Sequence, residues 1–248
     1  MDGKTRIHNF GGIRFGSTTW PCPRAQLSPI VLVCGAAETT ASRRTQANAL
    51  AAHATVVAID LLGAEWGSML PATAGPDFAA DAIQSVIDQL DLGPVNLFGL
   101  CAGAYGAYAL ARRHPASVLR AALGAMMVTP SPDVTALRDR SVDMICSGRT
   151  VEWADLMTAQ LMCLDPGRDV QSRELLHQSI KQRVLDAEPE ELRRHIAFLA
   201  SLAESDALYP TEGVQQPALF FTGEHDTLCP LEETRALAEL CADARLFS

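Results

Sequence analysis

Five residues in the middle of the chain, Gly99-Leu100-Cys101-Ala102-Gly103, constrain the fold more than any other short stretch. They follow the apolar run 95–98 and precede a helical stretch at 104–113. A strand that turns sharply into a helix leaves no room for side chains beside the turn, and glycine on both sides meets that requirement. The residue in the middle is then held in a strained backbone conformation with its side chain exposed. The sequence therefore predicts a tight strand–turn–helix unit with the Cys101 thiol at its corner.

Cys101 is accordingly a candidate nucleophile. The free N–H groups and the dipole at the N-terminus of the following helix are expected to favour its thiolate form. The alternative is that Cys101 is a small buried hydrophobic residue, because free cysteines are commonly buried. The strand and the helix on either side of the glycine-flanked turn favour the nucleophile.

Apolar runs alternate with helical segments along much of the chain. Residues 29–33 and 54–60 are continuous apolar runs, typical of strands that are buried on both faces of a parallel sheet. Residues 7–20 alternate in polarity and contain Gly11-Gly12, which predicts an antiparallel hairpin before the parallel strands. Strands that alternate with helices indicate an α/β fold with a mostly parallel sheet flanked by helices. Further strands are predicted at 119–128 and 218–222, and residues 245–248 are expected to begin another. Helices are predicted at 40–53, after an Asp77 cap, and at 231–242.

One long segment interrupts this alternation. Residues 133–209 have the pattern of several helices without a strand, and Trp153 and Leu161 lie on one amphipathic face. An all-helical block inserted after a sheet strand is expected to form a cap over the carboxyl ends of the strands. We therefore expect a core domain made of residues 1–132 and 210–248, with a helical cap at 133–209.

The length, charge and cysteines of the chain limit its partners. A chain of 248 residues suits one α/β domain with an insertion, and a net charge of −9 argues against nucleic acid and anionic membranes as partners. Seven scattered cysteines without a C-x-x-C pair are typical of reduced thiols, and indicate neither a disulfide framework nor a zinc site. The N-terminus lacks the apolar core of a signal peptide. We expect a cytoplasmic protein with no metal and no cofactor, and the sequence is compatible with a homodimer.

A nucleophile at the corner needs groups that stabilise the negative charge formed when it attacks a carbonyl. The loop after the 29–33 strand, residues 34–40, is rich in small residues and suits this role. The N–H of Ala36 is expected to join the N–H of Ala102 as the second donor of an oxyanion hole, with Gly35 allowing the substrate to approach the backbone. The alternative is a simple strand-to-helix loop in which Thr39 or Thr40 caps the helix.

The candidate acid is Asp226, which lies at the end of the 218–222 strand in Gly223-Glu224-His225-Asp226. Its place after the nucleophile matches the order nucleophile, acid, histidine. Asp133 is a rival acid, and Asp60 more simply shapes a turn.

The base is missing from this order, because no histidine follows His225. His225 adjoins the candidate acid, where neighbouring loop positions usually point apart, and His195 is expected to lie in the cap. We expect either that a C-terminal strand and helix are missing from the chain, or that the site works without a conventional histidine. A thiol makes the second case feasible, since free cysteine has a pKa near ~8.5.

With these residues in place, the chain resembles the α/β-hydrolase superfamily over nearly all of its length. Within it, the segment Val31-Leu32-Val33-Cys34-Gly35-Ala36-Ala37-Glu38-Thr39-Thr40-Ala41-Ser42 resembles the oxyanion loop of bacterial 3-hydroxyacyl acyltransferases. These enzymes build the dilipid moiety of rhamnolipids or move 3-hydroxyacyl groups between carrier protein and coenzyme A. The resemblance implies acyl-enzyme chemistry at Cys101, with Asp226 as the acid and a cap that encloses the acyl chain. The residue at the corner is normally serine in that family. A cysteine at this position resembles polyhydroxyalkanoate synthases and dienelactone hydrolases.

Three functions are therefore open. The first is acyl transfer or thioester cleavage, in which Cys101 captures an acyl group from acyl carrier protein or coenzyme A. The second is hydrolysis of small esters or lactones in the manner of dienelactone hydrolases. The third is a non-catalytic protein on a hydrolase scaffold that binds an apolar ligand in the cap pocket, which the absent histidine favours.

Overall fold

The computed structural model describes residues 3–35, 38–61, 75–129, 132–189, 191–193, 196–197 and 210–248. These residues form one sheet of eight strands. The strands are β1 (Lys4–Phe10), β2 (Ile13–Trp20), β3 (Ile30–Val33), β4 (Val56–Asp60), β5 (Val95–Leu100), β6 (Val118–Gly124), β7 (Ala218–Phe221) and β8 (Ala244–Phe247). The described helices are α1 (Arg44–Leu50), α2 (Pro76–Gln89), α3 (Ala102–Arg113), α4 (Pro132–Cys146), α5 (Thr150–Leu161), α6 (Arg173–Leu185) and α7 (Leu231–Glu239).

The order of strands across the sheet is β1-β2-β4-β3-β5-β6-β7-β8. β1 and β2 form the predicted hairpin, whose turn places Gly11 and Gly12 at φ 57° and 83°. β2 pairs antiparallel with β4, and every following pair from β4 to β8 is parallel. The carboxyl ends of the central parallel strands therefore meet at one edge, where the residues that follow β3, β5, β6 and β7 lie.

Both faces of the central sheet are buried, as the continuous apolar runs predict. Along β3, Val31 and Val33 belong to the core under α2 and α3, whereas Leu32 belongs to the core under α1. All three side chains are at most 1% exposed. Because successive strand residues point to opposite faces, only apolar residues at every position fill both cores. The α/β prediction with a mostly parallel sheet is confirmed.

The segment between β6 and β7 departs from this alternation. Its described residues form α4, α5 and α6, without a strand among them. Trp153 and Ala154 on α5 are buried, and an ion pair joins Asp155 of α5 to Lys181 of α6. Part of the predicted cap range 133–209 lies outside the described residues, and the domain division stays a prediction.

The strand that is expected to begin at Arg245 is formed: Ala244–Phe247 pair in parallel with β7 as the edge strand β8. One sequence expectation differs from the structure. Asp77 does not cap α2, because the helix begins one residue earlier at Pro76, whose missing N–H suits a first turn. The Asp77 carboxylate instead pairs with Arg113 of α3 at 3.1 Å.

Candidate active site

The corner between β5 and α3 is as tight as the glycines predict. Cys101 occupies it with φ 52° and ψ −127°, a conformation that L residues rarely adopt. Its N–H donates to the Gly124 carbonyl at 2.9 Å, and its carbonyl accepts the Ala104 N–H at 2.9 Å. The first bond ties the corner to β6, so the neighbouring strand stabilises the strained residue.

The two glycines are required by backbone contacts. A Cβ on Gly103 would lie 2.3 Å from the carbonyl oxygen of Val33 in β3. A Cβ on Gly99 would lie 2.6 Å from the Cα of Ala104. These atoms cannot move aside without displacing β3 or α3. The prediction that side chains at both positions would collide with the neighbouring strand or helix is confirmed.

The Cys101 side chain reaches solvent but has protein on its other sides. Loss of hydration raises the pKa of its thiol, a hydrogen bond from the Ala102 N–H lowers it, and the charges of Glu38 and Asp226 raise it again. The helix N-terminus favours the thiolate as expected, through the Ala102 N–H, but burial and the two carboxylates outweigh it and the pKa of the thiol is raised overall. At neutral pH the site holds a neutral thiol with an amide N–H directed at its sulfur.

Asp226 lies in the turn after β7, and its carboxylate holds that turn. Oδ1 accepts the backbone N–H groups of Leu228 at 2.9 Å and Cys229 at 2.8 Å. Oδ2 is less committed, since its neighbour, the Thr222 hydroxyl, lies 3.4 Å away and donates to the Cys229 carbonyl at 2.8 Å. Because the charge of Asp226 raises the pKa of Cys101, the two side chains lie within electrostatic reach of each other.

The rival acids lie elsewhere. Asp133 is in the first turn of α4, and Asp60 is fully buried at the end of β4. Among the described residues, the carboxylates whose charges raise the pKa of Cys101 are those of Glu38 and Asp226. Of the three candidate acids, Asp226 is thus the one whose charge acts on the predicted nucleophile, and its catalytic role stays a prediction.

The loop after β3 is held by one of its own side chains. The Gly35 N–H donates to Oε2 of Glu38 at 2.6 Å, so this amide is already committed. Thr39 and Ser42 exchange N–H to hydroxyl bonds of 3.1 and 3.2 Å, and Thr39 thereby caps the turn that leads into α1. Ala36, the predicted second oxyanion donor, lies outside the described residues, and its role stays a prediction, as does that of Ala102.

Sequence reasoning did not single out Glu38, Arg43 or Cys229. Arg43 is only 3% exposed and pairs with Oε2 of Glu38 at 2.5 Å. Cys229 is buried beside Asp226, and burial raises the pKa of its thiol. An acidic and a basic residue five positions apart are common on protein surfaces, so their spacing does not indicate that the arginine is buried.

A histidine would be the expected base at this site. His225 is half-buried, with Nε2 3.9 Å from Oε2 of Glu224. His8 is buried and bonded to Ser17 and Gln89, which is a structural role. His195 lies outside the described residues. Within the described ranges, no group of three or more histidine, cysteine or acidic residues has the arrangement of a metal site.

No described helix is long and apolar enough to cross a membrane.

Comparison with known proteins identifies a matching family over most of the chain. The sequence matches the alpha/beta hydrolase fold family over residues 28–248. No curated protein has a matching sequence.

Several solved structures share the fold at low sequence identity. MGS-M2, an alpha/beta hydrolase enzyme from a Medee basin deep-sea metagenome library, is 17% identical with a TM-score of 0.84, over 98% of this chain and 88% of that one. An enol-lactonase from Burkholderia xenovorans LB400 is 20% identical with a TM-score of 0.78, over 97% and 90%. A thermophilic esterase from Thermogutta terrifontis is 23% identical with a TM-score of 0.74, over 99% and 89%. At these identities the similarity concerns the fold alone.

Proposed function

The chain belongs to the alpha/beta hydrolase fold family, and on that premise we propose that it transfers or releases acyl groups through an acyl-enzyme formed on Cys101. The substrate that we propose is a 3-hydroxyacyl or related acyl thioester carried by acyl carrier protein or coenzyme A. The observation that carries the proposal is the Cys101 corner itself. A strained, solvent-accessible thiol with the Ala102 N–H directed at its sulfur is what nucleophilic attack on a carbonyl requires.

The reaction would proceed in two balanced steps. The Cys101 sulfur gives up its proton to solvent water and bonds to the carbonyl carbon, while the carbonyl oxygen takes the negative charge. The Ala102 N–H, with Ala36 as the proposed second donor, stabilises that oxyanion, and each donor contributes roughly 3–4 kcal/mol in comparable sites. The carbonyl then re-forms as the bond to the carrier sulfur breaks, and the carrier thiolate takes a proton from solvent and leaves as a thiol. In the second step an alcohol, a thiol or water attacks the acyl carbonyl and loses its proton to solvent, and the Cys101 sulfur leaves and is protonated again.

A thioester substrate suits a cysteine nucleophile. Exchange of an acyl group between two thiols makes and breaks the same kind of bond, so neither side is strongly favoured. Loss of the thiol proton is the demanding step, since the pKa of Cys101 is raised. We therefore expect turnover to rise with pH through and above pH 8, because the thiolate is the attacking species.

Hydrolysis of small esters or lactones is the second candidate. The fold similarity to an esterase and an enol-lactonase favours it. It uses the same Cys101 acyl-enzyme and differs in the acyl donor and in water as the acceptor. Release of free acid from short esters, without transfer to an added thiol or alcohol, would distinguish it from the first proposal.

Intact-protein mass spectrometry after incubation with a 3-hydroxyacyl-coenzyme A tests the proposal. We expect one acyl adduct on the parent protein and none on Cys101→Ala, because the attacking sulfur is gone. Cys146→Ala is the matched control, since Cys146 is also an exposed free cysteine and its loss should leave the adduct in place. Full turnover by Cys101→Ala, or an adduct that disappears only in Cys146→Ala, would refute the role of Cys101.

A further inference from the structure

Glu38 and the buried Arg43 connect the loop after β3 to β5, the strand that leads into Cys101. Oε2 of Glu38 accepts the Gly35 N–H at 2.6 Å and the Nη2 of Arg43 at 2.5 Å. The Glu38 N–H also donates to the Gly35 carbonyl at 3.2 Å. One carboxylate oxygen thus closes the loop on itself and fastens it to the arginine.

The loop so closed lies directly against the corner. A Cβ on Gly35 would be 3.1 Å from the carbonyl oxygen of Leu100, the residue before Cys101. The Gly35 backbone therefore lies close to the residue before Cys101, with little room between them for a side chain.

Arg43 is fixed from three directions. It is 3% exposed, its guanidinium lies 5.4 Å from the centre of the Phe98 ring on β5, and Nη1 donates to Oε1 of Gln46 at 2.7 Å. A buried guanidinium is unfavourable unless it is paired, and Glu38 supplies its carboxylate partner. Phe98 lies on β5, three residues before Cys101, so Arg43 holds Glu38 at a set place relative to the thiol.

The charged and titratable groups that act on Cys101 come from two loops. Glu38 contributes from the loop after β3, and Asp226 contributes from the turn after β7, with the neutral thiol of Cys229 beside it. The Ala102 amide opposes both carboxylates. Of the two carboxylates, Glu38 has the larger effect on the thiol.

We propose that Glu38 and Arg43 are positioning residues, which hold the loop after β3 at a set place beside the corner at Cys101. Glu38 resists formation of the negative sulfur, and Arg43 holds the Glu38 carboxylate in place. The consequence for turnover rests on the proposed function. The consequence for the thiol does not, because it follows from charges that act on Cys101 whatever the substrate is.

The pH dependence of Cys101 alkylation by iodoacetamide, followed by peptide mass spectrometry, tests the pair in the intact chain. Glu38→Gln keeps an oxygen for the Gly35 N–H and removes the charge, so the profile should move to lower pH. Below its midpoint the alkylation rate should rise on the order of threefold. Arg43→Gln removes the charged partner that holds the Glu38 carboxylate, so hydrogen exchange in the peptide containing Gly35 should be faster than in the parent. Arg43→Lys keeps the charge, should stay near the parent and remains testable if Arg43→Gln does not fold.

Glu233→Gln is the matched control. The Glu233 carboxylate also holds backbone N–H groups, those of Val128 at 2.9 Å and Thr129 at 3.0 Å, and it is not among the charges that act on Cys101. Its profile should coincide with that of the parent. An unshifted or upward-shifted profile in Glu38→Gln, or equal shifts in both glutamate variants, would overturn the proposal.

The structural part of the role has a separate readout. Glu38→Ala removes the acceptor of the Gly35 N–H, so hydrogen exchange in the peptide containing Gly35 should be faster than in Glu38→Gln. Equal exchange in the two variants would overturn the positioning role. Both measurements stand even if Cys101→Ala retains full turnover, and the failure of the proposed function can thus be told apart from the failure of this one.

Discussion

The corner at Cys101 and the two loops beside it are held in place by different forces. The corner depends on shape, because backbone atoms of β3 and α3 leave no space for a Cβ at Gly99 or Gly103. The loops after β3 and β7 depend on charge, because the carboxylates of Glu38 and Asp226 hold their backbone N–H groups. One small site thus combines a nucleophile whose position is set by steric contacts with loops whose positions are set by charge. The two parts should therefore respond to different perturbations.

Gly103→Ala should have the largest effect, because it acts on the sterically held part. The new Cβ would lie 2.3 Å from the Val33 carbonyl oxygen, and relief requires β3 and α3 to separate. We expect a loss of more than about 3 kcal/mol in the free energy of unfolding, or no folded protein. Urea denaturation measures it. Gly106→Ala is the control in the same helix, where the nearest atom is the Ala79 Cβ at 3.3 Å; a loss as large as that of Gly103→Ala would contradict the steric account.

Alkaline pH should have the second largest effect, by lowering the free energy of unfolding through two buried thiols beside the charge-held loops. Cys34 begins the loop after β3 and Cys229 lies in the Asp226 turn; burial raises the pKa of both thiols, and nearby carboxylates raise it further. Above pH ~8.5 the unfolded thiols lose their protons while the folded ones keep them, so stability falls as pH rises. The fall approaches about 1.4 kcal/mol per pH unit for each thiol.

Urea denaturation under reducing conditions between pH 8 and 10 measures this slope. The double variant Cys34→Ala, Cys229→Ala should lose most of it and keep what Cys101 contributes. An unchanged slope in the double variant would show that the buried thiols do not make these loops sensitive to pH.

The sterically held part of the molecule is the part that the sequence predicts well. Glycines at 99 and 103 mark the corner because no other residue fits there, and the apolar run at β3 predicts a strand buried on both faces because both faces are filled. Hydrophobic periodicity and close packing act over neighbouring residues, so they leave a local pattern. The strand β8, expected to begin at Arg245, has a weaker pattern, since Arg245 and Phe247 remain exposed on an edge strand that is only four residues long.

The loops that are held by charge leave little pattern in the local sequence. Asp226 could be predicted from its place after a strand, but the ionisation of Cys101 could not. It depends first on burial of the thiol and then on Glu38 and Asp226, which are far apart in sequence and both act on Cys101 because β3, β5 and β7 bring their carboxyl ends to one edge. Arg43 likewise gives no sign of burial in its own neighbourhood. Long-range electrostatics thus determines the properties of a residue whose position short-range sterics had already decided.

Asp226→Asn should have the smallest effect on stability and tests how far charge alone holds a loop. The amide oxygen of asparagine can still accept the N–H groups of Leu228 and Cys229, but without the added strength of a charged acceptor, so we expect a loss of about 1 kcal/mol by urea denaturation. Asp226→Ala, which leaves both donors without that acceptor, should lose more. Asp226→Asn should also lower the pKa of Cys101, by less than Glu38→Gln does, since Asp226 is the weaker of the two charges. Equal stability of the two Asp226 variants would mean that packing, and not the carboxylate, holds the turn after β7.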